Sequence, residues 1–161
     1  MKDKYPLSSY KVEVDLPGLK QLAINLGELV QIGEVITLSG ELGVGKSSFA
    51  RYFIKSLMEK DVDIASPTFT LVQVYNTVNC NIWHFDLYRI KQKEEVFELG
   101  IEDAFNFGVA LIEWPFIIES LLPADRIEIE FSFVNENDNK RIVTLVPYGI
   151  WQQKIRLIFK E

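Results

Sequence analysis

The segment Gly40-Glu-Leu-Gly-Val-Gly-Lys-Ser47 follows a short apolar run, Val35-Ile-Thr-Leu-Ser39, and precedes a helical pattern marked by Phe49, Phe53, Ile54 and Leu57. No other feature of the chain restricts the fold as strongly. It satisfies the spacing G-x4-G-K-[ST] between a strand and a helix, the context in which that spacing carries a mechanism. Glycine lets the backbone wrap around phosphate groups so that amide N–H groups point inward. The following helix presents the positive end of its dipole to the same place. Glu41, Gly43, Val44 and Gly45 are therefore expected to line a bound polyphosphate with main chain. Lys46 neutralises the β and γ oxygens, the Ser47 hydroxyl ligates Mg²⁺, and Ser48 adds a hydroxyl near the α-phosphate. The ligand this pattern implies is a purine nucleoside triphosphate with Mg²⁺.

A phosphate loop of this kind needs a carboxylate opposite it, at the C-terminal end of a buried strand. Two acids meet the requirement. Glu113 ends the run Val109-Ala-Leu-Ile112, apolar on both faces as in a central parallel strand. Asp86 follows Ile82-Trp-His-Phe85, which reads as a more exposed, alternating strand. Glu113 is assigned to the metal and Asp86 to the attacking water or the outer Mg²⁺ shell, with the reverse assignment as the alternative. His84 shares a face with Asp86 if the strand alternates, although a lone histidine is more often a structural hydrogen-bonder than a site residue. Thr68 and Thr70 lie where a switch segment would bring a hydroxyl to the γ-phosphate, although turn chemistry after Pro67 explains them equally well.

The rest of the chain is read as one domain, residues 1–161, without repeats or linkers. Residues 10–15 alternate as a half-buried strand, and Leu19, Leu22, Ala23, Ile24, Leu26 and Leu29 recur at helical spacing with Gly33 as the expected C-terminal cap. The helix after the phosphate loop is expected to run to about Lys60. Residues 69–75 and 80–88 form a hairpin, residues 93–99 a short charged helix ending at Gly100, and Pro115 opens a further helix. Residues 126–133 and 140–146 flank an Asn/Asp-rich turn, and Ile150, Trp151, Ile155, Ile158 and Phe159 mark a last amphipathic helix. Strands interleaved with helices predict an α/β fold: a P-loop three-layer α/β/α domain with a mixed, largely parallel sheet and added β-hairpins.

Composition excludes several classes. Of the 161 residues, 48% are hydrophobic and 25% charged, as in a globular protein with its own core. Cys80 is the only cysteine, so an intrachain disulfide and a cysteine-built zinc site are both ruled out. The start Met1-Lys-Asp-Lys-Tyr-Pro lacks the apolar region of a leader, and no run reaches the ~20 apolar residues of a membrane span, so a cytoplasmic location is expected. A net charge of −6 argues against strong independent nucleic-acid binding.

Nucleotide class and purpose are narrowed by what accompanies the loop. A guanine reader Asn-Lys-x-Asp is missing, because Asn139-Lys140 continues Arg-Ile. Arg51, Arg89, Arg126, Arg141 and Arg156 are scattered singly, unlike the lid of a small-molecule kinase. Beyond the loop itself, the blocks Ser66-Pro-Thr-Phe-Thr-Leu71, His84-Phe-Asp-Leu-Tyr-Arg89, Glu94-Glu95 with Leu99-Gly100, and Ile112-Glu-Trp-Pro115 occur in that order. With the phosphate loop they resemble the bacterial TsaE (YjeE) family, the ATPase of tRNA threonylcarbamoyladenosine biosynthesis, over essentially the whole chain.

The resemblance implies a small ATPase that docks on a TsaD-like threonylcarbamoyl transferase and its TsaB-like paralogue and supports their repeated turnover at adenosine 37 of tRNA. It implies phosphate and metal binding by Lys46 and Ser47, Mg²⁺ binding by Glu113, a catalytic carboxylate at Asp86, a switch hydroxyl at Thr68 and a nucleotide-proximal Trp114. Two other readings stay open: an ATP-dependent docking switch with incidental hydrolysis, and a small-molecule kinase. The chain departs from the family pattern at Ser47-Ser48, where Thr-Thr is common, and at Leu19, where a threonine often precedes the Leu-Ala pair.

Overall fold

The computed structural model describes residues 6 and 8–160. Most of residues 1–6, on which the reading of the N-terminus rests, therefore lies outside the described residues. The chain alternates strands and helices: β1 (Tyr10–Val14), α1 (Leu16–Leu29), β2 (Val35–Gly40), α2 (Lys46–Leu57), β3 (Val72–Asn76), β4 (Asn81–Asp86), α3 (Glu95–Glu98), α4 (Ile101–Phe107), β5 (Gly108–Glu113), a 3₁₀ segment (Pro115–Leu121), β6 (Arg126–Val134), β7 (Asn137–Tyr148) and α5 (Trp151–Phe159). The seven strands form one sheet in the order β1-β7-β6-β2-β5-β4-β3. Its centre, β6-β2-β5-β4, is parallel, and both flanks are antiparallel.

The period of two along each strand sorts the core into two halves. Ile36, Leu38, Val109, Leu111, Ile127 and Ile129 face the layer of α1, α2 and α5, and meet Leu26, Phe49, Phe53 and Trp151 there. Val35, Phe85, Ala110 and Ile112 face the other side and pack with Val96, Ile101, Ala104 and Ile118. This is the expected three-layer α/β/α arrangement. β5 is buried at every position, which explains why its sequence is apolar without alternation.

Several boundaries differ from the sequence reading. Helix α1 ends at Leu29 with Val30 as its cap, and Gly33 instead takes φ +90° in the following turn. Helix α2 stops at Leu57, because Met58 is already extended. Strand β3 begins only at Val72, after a turn in which the Leu71 amide donates to the Pro67 carbonyl at 2.7 Å. Strand β4 is not the exposed strand expected: Ile82, His84 and Phe85 are buried, because β4 lies inside the sheet and both its faces are covered, Ile82 by the α2 layer and Phe85 by the opposite layer. Pro115 does open a helical segment, which takes the 3₁₀ form. Helix α4 was not foreseen; its seven residues are too few to show a helical period.

Candidate active site

The turn between β2 and α2 places glycine where a side chain would clash or where the backbone takes positive φ. Gly40 has φ +137°, and a Cβ there would lie 2.5 Å from the Phe131 carbonyl oxygen of β6. Gly45 at the N-terminus of α2 has φ +124°, a conformation L residues avoid. The Val44 side chain is buried in the core, so this residue offers only its main chain to the loop. Glu41 likewise contributes its carbonyl, and its side chain does not line the cavity formed by the loop.

Strand register brings both acids to the loop. Leu38 of β2 and Asp86 of β4 are each in register with Glu113 of β5, so Asp86 and Glu113 occupy the C-terminal ends of neighbouring parallel strands. Open α/β sheets bind ligands at these ends. Alternation turns Ile82, His84 and Asp86 toward the α2 layer, together with Val109, Leu111 and Glu113. His84, Asp86 and Glu113 are 2%, 8% and 2% exposed. The Ser47 hydroxyl donates to Glu113 Oε1 at 3.2 Å, and His84 Nε2 lies 2.8 Å from Glu113 Oε2. The Tyr88 amide donates to Asp86 Oδ1 at 3.1 Å.

Lys46 is only 4% exposed. Its ammonium donates to the Gly40 and Glu41 carbonyls at 2.5 and 2.9 Å, and lies 4.1 Å from the centroid of the Trp114 ring. Burial pushes its pKa below the ordinary 10.5, while Glu113 and Asp86 pull the other way. Trp114 reaches this position by adopting a left-handed backbone, φ +57°, which is uncommon for a bulky residue. Its amide donates to the Leu38 carbonyl at 3.1 Å, and its ring lies 4.9 Å from that of Tyr88.

These groups line one cavity of about 220 Å³, with Gly43, Gly45, Lys46, Ser47, Ser48, Thr68, Asp86, Glu113 and Trp114 on its walls. Thr68 is exposed, and its hydroxyl is paired with that of Ser66 at 2.7 Å. Three further residues, Leu42, Tyr88 and Arg89, complete the walls and are not among the site residues the sequence predicts. The block His84–Arg89 held a signal for two of them. A second cavity of about 280 Å³ lies on the other flank of the loop, shares Gly43, Gly45 and Ser48 with the first, and is closed by Asp15, Leu16 and Leu19 at the start of α1 and by Asp138, Asn139 and Arg141 of β7. Arg141 Nε donates to the Val44 carbonyl at 2.9 Å, tying β7 to the loop. Its partner is 97 residues away in the chain, so no local pattern reveals it.

The donor set fits Mg²⁺. One carboxylate and one hydroxyl converge within 3.2 Å beside a loop shaped for anions. Among the described residues no group of three or more His, Cys, Asp and Glu side chains forms a cage for a metal. Magnesium suits such an open set, because it keeps several waters and takes phosphate oxygens as further ligands.

A family model described as "Threonylcarbamoyl adenosine biosynthesis protein TsaE" matches residues 15–143. The chain is 42% identical to the tRNA threonylcarbamoyladenosine biosynthesis protein TsaE of Rickettsia felis over 127 residues, 79% of this chain and 73% of the relative. It is 36% identical to the protein of that name from Bacillus subtilis over 118 residues, 73% of this chain and 72% of the relative. The crystal structure of Bacillus subtilis YdiB is similar at a TM-score of 0.75 and 27% identity, covering 95% of both chains. With a family model matching most of the chain, relatives above 30% identity and the fold in agreement, the chain belongs to the TsaE family.

Proposed function

We propose that this protein binds and hydrolyses Mg-ATP in support of tRNA threonylcarbamoyladenosine formation by a TsaB–TsaD pair. The observation that carries the reading is the convergence of Lys46, Ser47, Asp86 and Glu113 on one cavity at the C-terminal edge of the parallel strands. The β- and γ-phosphates lie over the loop, held by its amides and by the start of α2. Lys46 turns from the Gly40 and Glu41 carbonyls to the phosphate oxygens, as an incoming anion competes for its charge. Ser47 and Glu113 hold Mg²⁺, which when bound neutralises charge that develops on the phosphates. Asp86 orients the attacking water and accepts its proton, Thr68 caps the γ-phosphate, and Trp114 covers the site against solvent. The second cavity takes the adenosine, since it meets the first beside Ser48, where the α-phosphate would lie.

The test is ATP hydrolysis by this chain alone and with the TsaB and TsaD partners. Slow turnover alone and a clear rise with the pair are expected, and absence of stimulation counts against the role. Asp86→Asn should bind ATP and fail to hydrolyse it. If this variant still supports tRNA modification in a complementation assay, ATP occupancy and not hydrolysis is the working signal.

A further inference from the structure

His84 is the only histidine of the chain, and it is almost wholly enclosed, at 2% exposure. The ladder of β4 is complete without its ring, since backbone pairing with Gln73 and Leu111 fixes the strand. The one hydrogen bond of the imidazole among the described residues runs from Nε2 to Glu113 Oε2 at 2.8 Å, while Nδ1 is buried with no partner. A carboxylate accepts, so the ring proton at this contact belongs to Nε2. The other oxygen of Glu113 faces the Ser47 hydroxyl at 3.2 Å. One carboxylate is therefore held at both ends, by an imidazole behind it and a hydroxyl in front.

We propose that His84 is a positioning residue for Mg²⁺: it fixes the rotation of the Glu113 carboxylate so that Oε1 faces Ser47 and the phosphate end of the cavity. The inference rests on the nucleotide-binding reading above. A buried carboxylate secured only at Ser47 is free to turn about its terminal bond and loses that partner when the hydroxyl moves to a cation. A donor on the far oxygen removes this freedom and offsets the cost of burying that oxygen unpaired. Outer partners of this kind orient metal ligands and strengthen metal binding. Asp86, on the same face two residues along β4, is not bonded to His84, so the effect falls on the metal carboxylate and not on the water-orienting one.

The experiment measures binding of the non-hydrolysable analogue AMP-PNP to the full chain by calorimetry, in EDTA and across a Mg²⁺ series. For His84→Leu, affinity in EDTA stays at the wild-type value, while the Mg²⁺ needed for half-maximal tightening rises about tenfold or more. His84→Gln, which keeps an N–H at the Nε2 position, restores most of the Mg²⁺ response. A wild-type Mg²⁺ response in His84→Leu, or no rescue by His84→Gln, overturns the proposal. A parallel measurement needs no variant: ¹⁵N-histidine NMR of the wild-type protein gives signals from one ring. The Nε2–H resonance is expected to shift when Mg²⁺ is added to the AMP-PNP complex, and an unmoved resonance overturns the proposal even if the leucine variant does not fold. If the wild-type chain binds no AMP-PNP under either condition, the functional reading itself falls, and this inference with it.

Discussion

Lys46 is an ammonium held almost out of water by two main-chain carbonyls and an indole face. Desolvation lowers its pKa below 10.5, and only the neighbouring Glu113 and Asp86 oppose the shift. Between the lowered folded pKa and 10.5 the unfolded chain binds more protons than the folded one, so this group's contribution to the stability of the free protein rises with pH through that window. Nucleotide affinity runs the opposite way, because phosphates favour the charged form that high pH removes. Titrating AMP-PNP binding upward from pH 7 should therefore show affinity falling before the pH at which an ordinary lysine loses its proton. Lys46→Met should bind at least about a hundredfold more weakly, as expected for losing a charge-assisted contact in a water-poor site, and should lose the alkaline fall as well. A variant as tight as the wild type, or one that keeps the pH dependence, would place the polyphosphate elsewhere.

The elements around Lys46 were legible to different depths. The strand-loop-helix unit is local, so β2, the phosphate loop and α2 could be read from contiguous residues, as could the pattern of β5 ending in Glu113. What spacing could not show is which strand borders which. The register of Leu38, Glu113 and Asp86 is a property of the assembled sheet, and the buried state of β4 follows from the layers packed on its two faces and not from its own alternation. Helix α4 escaped for want of length, and Arg141 because its carbonyl partner is remote. That arginine carries a prediction at this level. Its guanidinium bonds the Val44, Asp138 and Lys140 carbonyls and lies 4.7 Å from the Phe133 ring, so it joins the β6–β7 hairpin to the turn proposed to receive phosphate. Arg141→Ala leaves the buried core intact and frees the Val44 carbonyl. AMP-PNP affinity should drop about tenfold, the scale of a lost charge-assisted hydrogen bond to the loop, with a cost in folding stability near 1 kcal/mol or less. Calorimetry and chemical denaturation of the same variant separate the two. A large loss of stability with unchanged affinity would show that the arginine serves the hairpin alone.

Taken across the whole molecule, the two cavities join parts of the chain that are far apart in sequence. The first is lined from Leu42 to Trp114, while the second adds Val14 to Leu19 and Asp138 to Arg141. A nucleotide lying across both would clamp the first helix, the central strands and the β6–β7 hairpin together. Such a ligand binds only the folded chain, so at about one hundred times its dissociation constant it adds roughly 2.7 kcal/mol to stability. For a domain of 161 residues that corresponds to a rise in melting temperature of about 5–11 °C. Inorganic tripolyphosphate supplies the charge for Lys46 and the loop but nothing for the second cavity. With Mg²⁺ present, ATP should therefore raise the melting temperature more than tripolyphosphate at the same concentration. Substituting Leu16→Asp at the wall of the second cavity should narrow that difference while leaving the tripolyphosphate shift in place. Leu16 is 56% exposed, so the change spares the core and bears mainly on the cavity. Equal shifts from ATP and tripolyphosphate in the wild-type protein would remove the adenosine from the second cavity and leave only the phosphate end of the site standing.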